Sequence, residues 1–304
     1  MRFILAKTQT PYHPPERQHL YPPPPVVKLG FRRSLLLADP APEQDVELRE
    51  TTRELLAEVE QTTGFQAVVT EDRTLTMTSG VVMAAWDRPS HLIRIHPKVL
   101  VLVDYYVVYH CRTIQRFFEN PPEERFLFGV GEKGRYHFRK MMERLPFAKR
   151  MGEAALTPLV TQLLTGFMTH LRSVPLGLRL DDWIFSEHPE LVEMQRAAIQ
   201  PQLQENNRTA DDQYRRVCPP PVFDATMAIN AALAQFWAEK WNQPELTVPY
   251  MASGHAGTGT KLLNCLHDIP DSGRTDRALI DAWGAELKVS DWYAWVPYRN
   301  PQGR

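Results

Sequence analysis

The distribution of apolar and polar positions divides this chain into a mixed N-terminal region and a mostly helical remainder. Apolar residues recur every three or four positions from Leu48 to Val59, a spacing that predicts an amphipathic helix ending at Gly64. Shorter stretches then show the apolar runs and the two-residue alternation that are typical of strands. These predicted strands cover residues 65–70, 74–78, 81–86 and 92–95.

The most apolar part of the chain, residues 91–118, contains the last of these strands and a predicted buried helix that follows it. The apolar side chains of this helix repeat at helical spacing, and His110 shares a face with Val107 and Ile114. We therefore predict an α+β fold in which a small N-terminal β-sheet packs on a central buried helix, followed by a mostly helical C-terminal half. Further helices are predicted at residues 154–172, 225–241 and 276–287.

Composition and charge limit the classes of function. The 304 residues are 43% hydrophobic and 23% charged, with a formal net charge of −1, so no overall field draws the protein to nucleic acid or to an anionic membrane. The apolar runs fall short of a bilayer span. Cys111, Cys218 and Cys265 are odd in number and far apart, which favours a reducing compartment over a disulfide framework. We expect a soluble cytoplasmic protein with no membrane partner.

The layout of residues 46–118 carries a family resemblance. A predicted helix, short strands and a buried helix follow one another, and residues 93–97 read Ile-Arg-Ile-His-Pro. This order resembles the N-terminal half of zincin-type metallopeptidases, notably the ImmA/IrrE-like group, in which an edge strand of the form Ile-x-Ile-Asn/His-Pro precedes the active helix. The resemblance implies a zincin-like core and a prokaryotic setting in stress response or phage defence.

The motif that carries zincin chemistry is degenerate in this chain. A working active helix reads His-Glu-x-x-His, where two histidines one turn apart bind zinc and the glutamate polarises a water molecule. His110 matches the first histidine, Cys111 stands where the glutamate should be, and Ile114 replaces the second histidine. Because isoleucine has no donor atom for a metal, we predict that peptidase activity has been lost and that His110 serves packing. No cofactor is expected on this interpretation.

A rearranged metal site is the alternative interpretation. His96 on the preceding strand and a downstream acid such as Glu187 could join His110 as ligands, which would make zinc the cofactor. The protein would then be a metal-dependent hydrolase, with Cys111 or Glu190 as the candidate catalytic residue. The simpler roles are a buried structural thiol for Cys111 and a carboxylate that complements a helix dipole for Glu190.

A glycine-rich stretch, residues 254–261, raises a third interpretation. It follows a predicted strand at 246–250 and precedes a predicted helix, a setting in which backbone N–H groups can hold an anion. Gly257, Gly259 and Lys261 are the candidate ligands for a nucleotide or another anion. The spacing departs from the Walker pattern, because one residue separates Gly259 from Lys261.

Two further features concern partners. Arg135, Arg139, Lys140 and Arg144 form the main concentration of positive charge, but glutamates interrupt it, which favours a solvated helical face over a nucleic-acid site. The C-terminal aromatic cluster at residues 292–298 is expected to pack against the domain. We therefore predict a protein-binding or regulatory component whose partners are proteins.

The expected organisation has four parts. Residues 1–43 are rich in proline and are predicted to be extended. Residues 44–150 form the zincin-like core, and residues 151–218 extend it with helices. Residues 219–304 follow a proline-rich break and are predicted to be helical, with the glycine-rich loop and the aromatic tail.

Overall fold

The computed structural model describes residues 47–85, 88–208, 215–216 and 218–298. The proline-rich segment 1–43, which the sequence predicts to be extended, lies outside the described residues. Within them the fold is α+β, with a small sheet near the N-terminus and a mostly helical C-terminal half, as predicted. None of the described helices combines the length and the apolar character that a membrane span requires.

The N-terminal unit is a three-stranded sheet with two helices. Helix α1 (Glu50–Thr63) is followed by β1 (Gln66–Glu71), β2 (Ser79–Val82), β3 (Ser90–Ile95) and, after a 3₁₀ turn, α2 (Val103–Phe118). The strand order is β1-β3-β2, with β3 parallel to β1 and antiparallel to β2. Leu56 and Val59 of α1, Ile93 of β3 and Val107 of α2 are buried in one hydrophobic cluster, which is the first core. Helix α1 ends where Gly64 adopts a left-handed conformation, as its sequence predicts.

Two predictions about this sheet are wrong. Residues 74–78 form no strand, because Asp72 folds them into a turn by accepting the backbone N–H of Thr74 at 2.7 Å. The strand that we expected at the edge, within residues 93–97, is instead the central one, since β1 and β2 both pair with it. Ile93 and Ile95 are fully buried there, which a central strand allows.

The rest of the described chain consists of helices and a two-stranded ribbon. Strands β4 (Phe126–Val130) and β5 (Tyr293–Pro297) pair antiparallel, so the C-terminal segment lies beside residues 126–130. The helices are α3 (Glu132–Glu143), α4 (Glu153–Glu187), α5 (Val192–Arg208), α6 (Pro220–Lys240), α7 (Val248–Ala252), α8 (Ala256–Asp268) and α9 (Asp276–Glu286). Helices α4 and α6 contribute many of the buried side chains of a second hydrophobic core.

The prediction of a glycine-rich loop is wrong. Residues 256–268 form α8, and the segment 246–250 that we predicted as a strand is helical. Gly259 supplies the reason, because a Cβ at that position would come within 2.8 Å of the Ala231 Cβ on α6. The glycine therefore permits close packing of two helices and does not make a loop.

The aromatic tail packs into the second core, as predicted. Trp292 and Tyr293 are buried. The Tyr293 hydroxyl and the Trp295 indole N–H both donate to Oδ1 of Asp281 on α9, each at 2.9 Å. These bonds satisfy the polar atoms of two large rings and fix β5 against the helical region.

Candidate functional site

His110 lies on the face of α2 that meets the sheet, and it is 7% exposed. Its Nε2 is 2.9 Å from the hydroxyl oxygen of Ser79 at the start of β2. Burial lowers the pKa of His110 to about 4, so the ring is neutral near pH 7. Its Nδ1 is buried without a partner among the described residues. We therefore assign the ring proton to Nε2, which donates to Ser79.

The two residues that break the zincin motif face the first core. Cys111 and Ile114 have no exposed surface and pack in the same cluster as Ile93 and Ile95 of β3. Burial raises the pKa of the Cys111 thiol far above its usual range, which keeps the thiol protonated and a poor nucleophile. These positions therefore supply neither a second metal ligand nor a base for a water molecule.

The other candidate metal ligands have separate roles. His96 accepts the backbone N–H of Lys98 at Nδ1 (3.1 Å) and caps the 3₁₀ turn before α2. Glu187 ends α4 with an exposed side chain, and Oε1 of Glu190 lies 3.3 Å from Nδ1 of His188. Across the described residues, no group of three His, Cys, Asp or Glu side chains is placed to hold a metal ion. The residues present do not fit the zinc ion that the resemblance implies.

The candidate anion ligands of the glycine-rich stretch are not brought together. Lys261 Nζ lies 3.0 Å from Oε1 of Glu286 on α9, so its charge is already compensated. Gly259 is buried against α6. Gly257, in the first turn of α8, has open space around it. The three residues therefore do not form a phosphate cradle of the kind expected.

Acidic partners neutralise half of the predicted basic patch. Arg139 and Lys140 both form ion pairs with Glu143, each at 2.9 Å. Arg135 donates to the last backbone carbonyl of β4 at 3.2 Å. Arg135 and Arg144 have no acidic partner in the part of the chain that the structure describes. Two uncompensated arginines are a weak basis for binding a phosphate backbone.

The outer side of the β4–β5 ribbon is apolar and exposed. Leu127 and Val296 are paired directly across the two strands and are 43% and 52% exposed. Gly129 and Ala294 form the adjacent pair on the same side. We call these four residues the ribbon face. The aromatic residues of the opposite side pack on the second core, so the ribbon has one covered and one open surface.

The ribbon also has free edges and nearby positive charge. Strands β4 and β5 pair only with each other among the described strands, so each keeps one unpaired edge. Arg135 lies at the end of β4, where its guanidinium donates to the Val130 carbonyl. Arg277 lies over the rings of Phe126 and Trp295, on the opposite side from the ribbon face, and its Nε is 3.8 Å from Asp281. An apolar face with unpaired strand edges and an arginine at one end is suited to an extended chain that carries an acidic residue.

Sequence reasoning missed the ribbon face. The apolar run at residues 126–130 was the available signal, but its partner strand is far along the chain. Comparison with known proteins adds no family: no protein-family model, no curated protein and no solved structure matches this chain.

Proposed function

We propose that this protein is a binding component without peptidase activity, which holds an extended segment of a partner protein on the ribbon face. The observation that carries the proposal is the cross-strand pair Leu127–Val296, two aliphatic side chains in solvent on a ribbon with free edges. Unpaired strand edges can form backbone hydrogen bonds with another chain, and burial of the apolar face beside them stabilises that complex.

The packing of α2 supports the loss of peptidase activity. His110 donates to Ser79, and the positions of the missing base and the missing ligand are buried in the first core. The alternative, a metal-dependent hydrolase around His110, would need two more ligands, and the described residues do not bring them together. We infer that the N-terminal unit is a zincin-like scaffold whose former site now stabilises the fold.

The chemistry of the ribbon defines the partner segment. Strand addition at the β4 edge would use backbone hydrogen bonds for affinity, and alternate side chains of the segment would lie beside Leu127 on the ribbon face. A carboxylate in the segment would meet Arg135, which is exposed at the end of β4. We therefore expect a partner segment with alternating aliphatic residues and an acidic residue at one end.

We infer a prokaryotic cytoplasmic setting, in stress response or phage defence, from the zincin resemblance. Cys111 and Cys265 are free thiols, in agreement with a reducing compartment. No cofactor enters this proposal.

Photocrosslinking in cells of the source organism tests the ribbon face directly. A benzophenone amino acid would replace Leu127 or Val296, with exposed Glu187 on α4 as the control position. We expect one protein to be crosslinked from both ribbon positions and not from the control. The double variant Leu127→Lys, Val296→Lys should weaken binding of that purified protein at least tenfold, whereas Glu187→Lys should not. Identical products from all three positions would refute the ribbon face as the binding surface.

Metal analysis of the purified protein tests the loss of the zinc site. We expect much less than one zinc ion per protein molecule, and the same zinc content in the His110→Ala variant. Stoichiometric zinc that disappears in His110→Ala, with the circular dichroism spectrum retained, would favour the hydrolase instead.

A further inference from the structure

Three side chains near the start of α8 form a hydrogen-bonded chain that the proposed binding function does not use. Nδ1 of His255 lies 2.9 Å from the hydroxyl oxygen of Ser253, and Nε2 of His255 lies 3.2 Å from Oδ1 of Asp224 on α6. Ser253 is exposed, whereas the His255 side chain is only 16% exposed. A nucleophile, a base and an orienting acid therefore meet where a substrate can reach the nucleophile.

The acid determines which nitrogen of His255 can act as a base. Asp224 accepts the proton of Nε2–H, which leaves the lone pair of Nδ1 free to accept the hydroxyl proton of Ser253. The nitrogens exchange the roles that they take in serine proteases, but the chemistry requires only one nitrogen for each partner. The ring of Phe223 meets the imidazole edge-on at 6.0 Å between centroids and limits its rotation.

Ser253 has one competing acceptor. Its hydroxyl oxygen lies 3.3 Å from the backbone carbonyl oxygen of Tyr250, a longer contact than the 2.9 Å to His255. The hydroxyl proton is therefore better placed for the imidazole than for the carbonyl.

The first turn of α8, which begins three residues after Ser253, supplies backbone donors for a negative charge. The first backbone bond into this helix runs from the N–H of Gly259 to the carbonyl of His255, so the N–H groups of residues 256–258 precede the regular helical bonds. Apart from its chain neighbours and the backbone of α8 itself, no heavy atom lies within 4 Å of the place that a Cβ would take at Gly257, so this flank of the turn is open. Exposed Val248 and Met251 on the adjoining α7 add an apolar surface.

We propose that Ser253, His255 and Asp224 form a serine esterase site for carboxylic esters with a short apolar acyl group. Ser253 Oγ attacks the carbonyl carbon while His255 Nδ1 takes the hydroxyl proton, and the N–H groups of residues 256–258 stabilise the oxyanion. The tetrahedral intermediate then releases the alcohol, whose oxygen takes the proton from His255. Water, deprotonated by His255, cleaves the acyl-serine ester, and the proton returns to Ser253 as the carboxylic acid leaves.

Two measurements on the full chain test the site. A fluorophosphonate probe should label the peptide that contains Ser253, detected by mass spectrometry. p-Nitrophenyl butyrate should be hydrolysed, and the rate should fall at least 100-fold in Ser253→Ala and in His255→Gln. Asp224→Asn should cause a smaller fall, because it disturbs the tautomer and leaves the nucleophile in place.

Ser186→Ala, which removes an exposed hydroxyl on α4, is the matched control and should keep the full rate and the label. Absence of the label at Ser253, or an unchanged hydrolysis rate in a folded Ser253→Ala variant, would overturn the proposal. Neither result bears on the ribbon face, so the esterase site and the binding function can fail independently.

Discussion

The guanidinium of Arg116 on α2 binds the carboxylate of Asp276 on α9 through two bonds, Nε to Oδ2 at 3.0 Å and Nη2 to Oδ1 at 2.6 Å. Arg179 of α4 is also buried and binds the same Oδ1 at 3.1 Å. One carboxylate therefore joins a helix of the first core to two helices of the C-terminal region. Because buried charges are tolerated only when they are paired, this cluster couples the two parts of the fold.

We expect Asp276→Ala to lower the free energy of unfolding by about 3–5 kcal/mol, because two buried guanidinium groups lose their shared partner. Asp271 also contacts Arg116, at 2.7 Å, but its side chain is 54% exposed against 17% for Asp276, so water screens its charge more strongly. Urea unfolding followed by circular dichroism measures the change. Glu71→Ala, which breaks the exposed Glu71–Arg73 pair, should cost no more than about 1 kcal/mol. Equal losses in the two variants would show that the buried cluster does not couple the cores.

Asp181 on α4 should destabilise the protein at neutral and alkaline pH. Burial raises the pKa of this carboxyl to about 7, although Tyr105 and Gln195 both donate to Oδ1, at 2.8 and 3.1 Å. The folded protein therefore retains a proton that the unfolded chain releases near pH 4, and the associated stability is lost as the pH rises from about 4 to about 7. Asp181→Asn should raise the free energy of unfolding at pH 8 by up to about 4 kcal/mol.

The neighbouring residue provides the control for this variant. Asp182 is partly exposed and pairs with Lys240 on α6. Asp182→Asn should therefore lower stability by about 1 kcal/mol or less. It should change the pH dependence far less than Asp181→Asn does, because the Asp182 charge is only a minor cause of the raised pKa of Asp181. Denaturant unfolding at pH 5 and pH 8 distinguishes the two variants. A gain for Asp181→Asn that is the same at both pH values would mean that ionisation of Asp181 is not its source.

Helices and their hydrophobic faces could be predicted because they depend on local spacing. The helix from Glu50 to Thr63 and the buried helix α2 follow from periodicity and a terminal glycine. The pairing of residues 126–130 with residues 293–297 could not be predicted in this way, because it depends on tertiary packing. The role of Gly259 also depends on tertiary packing. The sequence indicated a loop there, but the glycine allows α8 to pack closely against α6.

The candidate sites likewise differ in whether their residues lie within one element or on separate elements. The sequence predicts a broken motif at His110, Cys111 and Ile114, because the three positions lie within one helix. The contact of His110 with Ser79 and the approach of Asp224 to His255 join separate elements. No local pattern encodes such contacts, so only the folded structure brings these residues together.

Acid should destabilise the protein through its buried histidines. Burial lowers the pKa of both His110 and His91 to about 4, so each stays neutral in the fold while the unfolded chain binds a proton near pH 6.5. Their stability contribution is complete above about pH 6.5 and is lost as the pH falls to about 4, at most about 3 kcal/mol for each ring. Asp181 takes up a proton in the folded protein over the same pH range, because its pKa is raised to about 7. The stability that this adds on acidification offsets the loss from about one of the two histidines.

The variant His110→Asn should therefore show a shallower loss of stability between pH 6.5 and 4.5 than the unmodified protein. Asparagine retains an N–H donor for Ser79 but does not titrate. His267→Asn on α8, an exposed position, should leave the slope unchanged. Guanidinium unfolding at several pH values measures the slope. A slope that His110→Asn does not alter would assign the acid sensitivity to groups other than His110.

Two glycines in helices should respond in opposite ways to alanine. In α3, a Cβ at Gly134 would overlap the backbone of Trp292, so Gly134→Ala should separate α3 from the C-terminal segment and cost about 1–3 kcal/mol. In α4, Gly166 is exposed with open space around it, so Gly166→Ala should add about 0.5–1 kcal/mol through helix propensity. Thermal unfolding of each variant, followed by circular dichroism, gives the sign of each change. Stabilisation by both substitutions would mean that the tail does not pack on α3 through Gly134.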